Sequence, residues 1–429
     1  MFWLRANPAL FFVFCVFLIK LVFFSTILIN EPDFFAGDGD TGWYTIFTDG
    51  FVNFGGFSDG RTGAAEVFRL PGYPAFLLPF WGIEEPYRYA WVSLFQLVIG
   101  HIWLAFSADT LAKRLSPAVG IAFVLLLSIH FLFNHTVGAI QSEALFIPLV
   151  TLPIFAVLRI KLGASVILMG GISALALAGA HLTRPDILYL PVLLIPLSMA
   201  MIIVGRGKCE DVPTRQGKVL FIGVLGGLVA MGLWSLRNLL VAGSFMLTSH
   251  TGHVMAVMKH RLIGSNRNDH LMNSGTDVVM FALTNLEPLM TKFGLVLFNL
   301  FMRPHRWYLH RYADSFGVPE LVVKEPLTVE RLSDLTWLEY VYIGYVVSVG
   351  VALVILTLLG LWFQWRRSQP KLTSMEALLV LLPLLYLLSV QIIWGGEGRF
   401  ATVMLPFMAI FAAFVFLNVR RVPTLFSGR

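Results

Sequence analysis

Apolar residues occupy this 429-residue chain in long blocks separated by short polar segments. A transmembrane helix needs about 20 consecutive, predominantly apolar residues. Runs of that kind cover 8–29, 89–111, 117–134, 141–158, 164–183, 186–204, 219–241, 338–363, 376–394 and 400–418, which predicts about ten transmembrane helices. Two other stretches behave differently. The run 70–82 is too short to cross and reads as an interfacial or re-entrant piece. The run 278–302 is long enough, but Glu287, Pro288 and Lys292 interrupt it, and one crossing there would invert every later loop. It is therefore expected on or beside the outer face. The pattern predicts an all-α polytopic membrane protein with outward-facing juxtamembrane helices in the first loop. Three parts follow: an N-terminal transmembrane module over 1–241 with its first loop at 30–88, an extracytoplasmic or interfacial segment over 242–337, and C-terminal transmembrane helices over 338–429.

Composition agrees with the pattern and narrows it. Hydrophobic residues make up 57% of the chain and charged residues 13%, against about 25% charged in soluble domains. So few charges cannot cover a water-facing surface, which excludes an ordinary soluble enzyme. Two cysteines, Cys15 and Cys209, are too few for a disulfide framework or a cysteine-rich metal site. The first apolar run, Pro8 to Ile29, exceeds a signal-peptide core and lacks a small-x-small cleavage site, so it reads as an uncleaved first span. The net charge of +6 is scattered between apolar runs instead of forming a basic stripe, which argues against a nucleic-acid partner. Those basic residues report orientation. One side carries fifteen Lys and Arg in its loops and tails, against six in the short loops opposite. By the positive-inside rule both termini are cytoplasmic, in what is expected to be a bacterial inner (plasma) membrane.

Sorted by side, the chemically suggestive segments collect on the outer face: Gly37-Asp38-Gly39-Asp40-Thr41-Gly42-Trp43-Tyr44, Arg69 to Pro74, Gln141-Ser142-Glu143, His181 to Asp186, Arg237-Asn238 and Gly396 to Arg399. Glycines 37, 39 and 42 formally match a dinucleotide fingerprint, but they follow a membrane span and enclose two carboxylates, so that reading is rejected. Asp38 and Asp40 also form Asp-x-Asp, a spacing that can hold a divalent cation, and equally a solvated turn. Arg184 and Arg237 lie near span ends, where an arginine either serves a site or snorkels to lipid phosphates. Arg69 and Arg399, between Pro and Gly, suit a guanidinium fork presented to a phosphate. Glu143 reads as a second acid or base, or as an interfacial residue. His250 and His253 have metal-compatible spacing without further placed ligands, and Trp307 to Tyr312 reads as an interfacial belt before an acceptor platform. Lys20 sits mid-span and needs an interior partner.

The ordered set Asp40-x-x-x-Tyr44, Arg69-x-Pro-Gly-Tyr73-Pro74, Ser142-Glu143, Leu182-Thr-Arg184-Pro185, Arg237-Asn238 with Gly243, and Gly398-Arg399-Phe400 resembles the type C integral-membrane glycosyltransferases. Within them it looks most like the dolichyl-phosphate-mannose-protein mannosyltransferase-like group, and the match runs through nearly the whole chain. The resemblance implies a polyprenyl-phosphate-linked sugar donor and a lipid, glycan or protein acceptor. An outward acidic loop fits this, because nucleotide sugars are made in the cytoplasm and a donor must cross attached to a lipid. Asp40 is then the expected general base, with Asp38 as its orienting partner or as the base itself. Arg69, Tyr73, Arg184, Arg237 and Arg399 are the candidates for donor phosphate or acceptor binding. Metal dependence stays open, with Asp38 and Asp40 as the ligands if a divalent cation is used. A flippase for lipid-linked sugars and a non-catalytic binding subunit remain as alternatives.

Overall fold

A computed structural model of the chain describes residues 7–30, 34–35, 41–130, 133–134, 140–206, 211–248, 337–366, 372–393 and 402–418. Among these residues the architecture is all-α, and the sole strand-like feature is one isolated bridge between Ser58 and Ala65. The α-helices are α1 (Pro8–Asn30), α2 (Thr41–Phe54), α3 (Gly72–Leu77), α4 (Tyr87–Arg114), α5 (Pro117–Ser128), α6 (Ser142–Arg159), α7 (Val166–Thr183), α8 (Leu190–Arg206), α9 (Val212–Ala242), α10 (Trp337–Arg366), α11 (Ser374–Ile393) and α12 (Leu405–Asn418).

Six of them, α1, α4, α6, α7, α9 and α10, are long and apolar enough to cross a membrane. The other four predicted runs fall on α5, α8, α11 and α12, which are apolar but shorter in their described parts. The difference has local causes. The run predicted over 117–134 stops as a helix at Ser128, and that over 186–204 begins with a 3-10 turn at Pro185–Ile187. The run 70–82, expected not to cross, forms α3 and a 3-10 turn over Leu78–Phe80. The run 278–302 lies outside the described residues.

Helix ends carry ordinary punctuation. Ser116 caps α5, its hydroxyl accepting from the Val119 amide at 3.4 Å with Pro117 at the first helical position. Gly243 closes α9 at φ 69°, a left-handed conformation that costs glycine little. Burial separates the helices by role. On α1, Phe11, Phe14, Ile19 and Val22 are exposed, as expected of a side chain set facing lipid. On α12 every residue from Leu405 to Phe414 is buried, so this helix is enclosed, packed chiefly between α5 and α10. Close helix contact relies on small residues: a Cβ on Gly226 of α9 would meet the Ala174 Cα of α7 at 2.7 Å.

The bundle has two polar ends. At one, buried Asp109 of α4 accepts from Asn7 at 2.6 Å and pairs with Lys113 at 3.0 Å and Arg159 at 2.6 Å. Beside it, fully buried Glu376 of α11 pairs with Arg114 at 2.9 Å and Lys161 at 3.7 Å, and accepts from Gln216 at 2.9 Å. Helix ends from α4, α6, α9 and α11 meet there. The other end carries the first-loop helices α2 and α3 and holds the candidate site.

Candidate functional site

Three residues singled out in the sequence, Tyr73, Glu143 and Arg184, come together at this second end. Glu143 is in the first turn of α6, and Arg184 is the residue that ends α7. The two helices run antiparallel, so the start of one faces the end of the other. Arg184 Nη1 lies 2.6 Å from a Glu143 carboxylate oxygen and 3.2 Å from Ser142 Oγ, while Arg184 Nε donates to Asp186 at 2.6 Å. Glu143 and Asp186 are 3% and 5% exposed, so both ions of each pair are withdrawn from solvent. Burial alone opposes the charge on Arg184, but the Asp186 and Glu143 carboxylates outweigh it and hold the guanidinium protonated above its ordinary range. Taken as fully ionised, one arginine and two carboxylates leave a formal charge of −1 inside the cluster.

The cluster continues into the first loop. Ser142 Oγ accepts the Tyr44 hydroxyl at 2.8 Å, and the Tyr44 ring meets the Tyr73 ring edge-on with centroids 4.7 Å apart. Tyr73 of α3, completely buried, donates to the Gln96 side chain of α4 at 2.5 Å. Burial first, and then the nearby Tyr44 and Glu143, push the Tyr73 phenol well above its usual value. Thr41, which follows Asp40 in sequence, is buried and donates to the Ile140 carbonyl just before α6 at 3.0 Å. The start of α2 is therefore tied to the start of α6 by two side chains, Thr41 and Tyr44, one turn apart.

Gly72 brings the remaining arginines into register. A Cβ there would meet the Leu182 carbonyl carbon and the Thr183 hydroxyl at 2.7 Å, so only glycine lets α3 lie directly on the last turn of α7. Arg69 thus stands three residues before the α3–α7 contact. Its amide is held by Glu66 Oε1 at 3.0 Å, and the same carboxylate takes the Phe68 amide. Arg237 of α9 donates to the Phe57 carbonyl at 2.7 Å and the Glu66 carbonyl at 2.6 Å, with its guanidinium 4.9 Å from the Trp234 ring centre. Asn238 next to it donates to the Met246 and Leu247 carbonyls at 2.9 and 3.1 Å.

The described arrangement therefore assigns Arg237 two backbone carbonyls of the first loop, and Arg184 two carboxylates. Asp38, Asp40 and Arg399 lie outside the described residues, as do His250, His253 and Trp307 to Tyr312. Among the described residues no group of three or more His, Cys, Asp or Glu is placed to hold a metal ion. The sequence placed Asp186 in a suggestive outer-face segment without giving it a role, and it did not mark Gln96 or Glu66. Gln96 had a usable signal, since it is a polar residue in the middle of the apolar run 89–111. Glu66 had none, because its partners are backbone amides. No family model matches the chain, and no curated protein matches its sequence.

Proposed function

We propose that the protein is a membrane glycosyltransferase that crosses the bilayer ten times, with both termini cytoplasmic. It moves a sugar from a polyprenyl-phosphate donor to an acceptor hydroxyl on the non-cytoplasmic face. The observation that carries this reading is the buried Glu143–Arg184–Asp186 triad, wired through Ser142 to Tyr44 of the helix that follows the acidic loop. A desolvated, fully paired network of this kind is a rigid mount. It supports a loop whose carboxylates have to meet a reacting hydroxyl in one geometry, where small displacements cost large factors in rate.

In this mechanism Asp40 takes the proton of the acceptor hydroxyl as the oxygen attacks the anomeric carbon, and Asp38 orients it or serves as the base. The polyprenyl phosphate departs on the opposite side, so the anomeric centre inverts. Arg69 and Arg399 neutralise the departing phosphate. Arg184 acts one step back, as the residue that fixes α6 and α7 beneath Tyr44, and Arg237 fixes the segment leading to Arg69. Glu143 is then the counter-ion of Arg184 before it is an acid or base.

The test is reconstitution of the purified full chain in liposomes with a radiolabelled polyprenyl-phosphate sugar and a hydroxyl acceptor extract. Covalent transfer is expected, and Asp40→Asn should lower it by about 10²- to 10⁴-fold, the usual contribution of a positioned base. Transfer at the wild-type rate by both Asp40→Asn and Asp38→Asn would remove the assignment. Movement of label across the bilayer without transfer would make the protein a flippase, and retention of the lipid without either would make it a binding subunit.

A further inference from the structure

Halfway along α1 the chain places Lys20, a half-buried lysine in the middle of a helix of 23 residues. Among the described residues it makes no hydrogen bond and no ion pair. An ammonium at that depth costs about 2.5 to 3.5 kcal/mol on insertion scales, and such residues face a partner or a polar cavity. Lys20 faces a niche between α1, α4 and α6 that is lined by His101, Trp103, Phe133, Ile147 and Pro148. Trp103 brings a buried indole Nε1–H that has no partner among the described residues, and the lining is otherwise apolar except at two points. One is Lys20. The other is His101, 7% exposed, whose ring packs edge-on against Phe17 of α1 with centroids 5.1 Å apart.

The hydrogen bonding of His101 fixes what the niche offers. Its Nδ1 lies 2.8 Å from the Leu97 carbonyl. A carbonyl only accepts, so Nδ1 carries the proton, and in the neutral ring Nε2 is a lone-pair acceptor. Nε2 is buried with no partner among the described residues. One turn towards the site end, Pro148 lacks an amide hydrogen, which leaves the Ala144 carbonyl without its helical donor. The niche therefore combines a cation that donates three hydrogen bonds with an imidazole that can only accept. An anion would satisfy Lys20 but meet the Nε2 lone pair. An apolar group would satisfy neither. A hydroxyl oxygen accepts from Lys20 and at the same time donates its own proton to Nε2. The enclosed part has room for about one water-sized group.

We infer that this niche is a binding site for a single hydroxyl group, bridging Lys20 Nζ and His101 Nε2 in the middle of the bundle. Water and the head of a lipid alcohol share that chemistry. The site stands apart from the Arg184 network and does not depend on the proposed transferase reaction.

Two measurements on the full chain test it. The first is a high-resolution map in nanodiscs of phosphatidylcholine, with and without added long-chain polyprenol. Density within hydrogen-bond distance of both Nζ and Nε2 is expected: a point in both samples identifies water, and an extension along the apolar lining in the polyprenol sample identifies the alcohol. An empty niche, or Nζ bonded directly to Nε2, overturns the inference. The second is a double-mutant cycle of Lys20→Met and His101→Phe read by thermal midpoint. A shared guest makes the two substitutions non-additive, so that Lys20→Met raises the midpoint more in the His101→Phe background than in the wild type. Additive shifts overturn the inference as well. Either variant that fails to fold alone is replaced by Lys20→Gln or His101→Gln in the same cycle.

Discussion

Among the described residues Arg184 carries two carboxylates while each carboxylate pairs with one arginine, and that asymmetry sets what substitutions do. Glu143→Gln or Asp186→Asn leaves the guanidinium paired with the other acid. Arg184→Leu leaves two buried carboxylates with no cation between them. Removing one partner of a buried ion pair typically costs about 3–5 kcal/mol, so Arg184→Leu should lose stability on that scale and each single acid substitution distinctly less. Thermal unfolding in detergent with added lipid ranks the three, and equal losses would show that the triad is not a desolvated unit. Tyr73 adds a prediction about pH. The folded state holds its phenolic proton more tightly than the unfolded chain does, so the stability this confers is present below about pH 10 and is lost as the pH rises through the raised value. Tyr73→Phe should leave the number of phenols that ionise between about pH 9 and 11 in the folded protein unchanged by ultraviolet difference titration. One fewer titrating phenol would contradict its burial. These residues were legible in the sequence because charge is scarce there, and Glu143, Arg184 and Tyr73 stood out against an apolar background. Their partners were not, since which hydroxyl or carbonyl an arginine meets depends on segments that are 42 or 171 positions apart.

Among the elements, α3 is the one whose position is least forgiving. It lies on the end of α7 through Gly72, and a methyl group there collides with backbone, which cannot rotate away as a side chain can. Gly72→Ala should destabilise by about 1–3 kcal/mol, the usual cost of overpacking. Gly82→Ala, ten residues on and facing open space, should be close to neutral. If the pair behaves alike in a melting experiment, α3 does not pack as described. The segment before α3 depends on Arg237 instead. Its planar fork reaches the Phe57 and Glu66 carbonyls together, which a lysine cannot reproduce. Arg237→Lys should expose the 57–69 segment to limited proteolysis near Arg61, with the thermal midpoint of the bundle little changed; unaltered cleavage would dissociate Arg237 from that segment. The sequence marked 70–82 as a non-crossing piece from its length alone. It could not mark Arg237 as an anchor, because backbone carbonyls are the same everywhere in a sequence.

For the whole molecule, the alternation of basic and acidic loops predicts an orientation that can be read directly. In a background with Cys15 and Cys209 replaced by alanine, a membrane-impermeant maleimide should label Thr62→Cys from outside intact cells. It should reach Leu162→Cys only after permeabilisation. Both positions are surface-accessible, with Leu162 40% exposed, so the reverse pattern would invert the topology. Periodicity and composition were enough to anticipate an all-helical membrane bundle, since lipid imposes length and polarity on every crossing helix. They did not reveal that Asp109 and Glu376 gather the helix ends opposite the site, as acids beside basic loops look like ordinary surface charge.

The burial of α12 has a consequence for how the molecule is made. Chains enter the membrane in order of synthesis, and α12 is made long after α5, one of the two helices it chiefly packs against. Until α12 arrives, the face of α5 that it covers stays open to lipid. A nascent chain arrested before Leu405 should therefore be inserted yet more open to membrane proteases at α5 than the chain that carries α12.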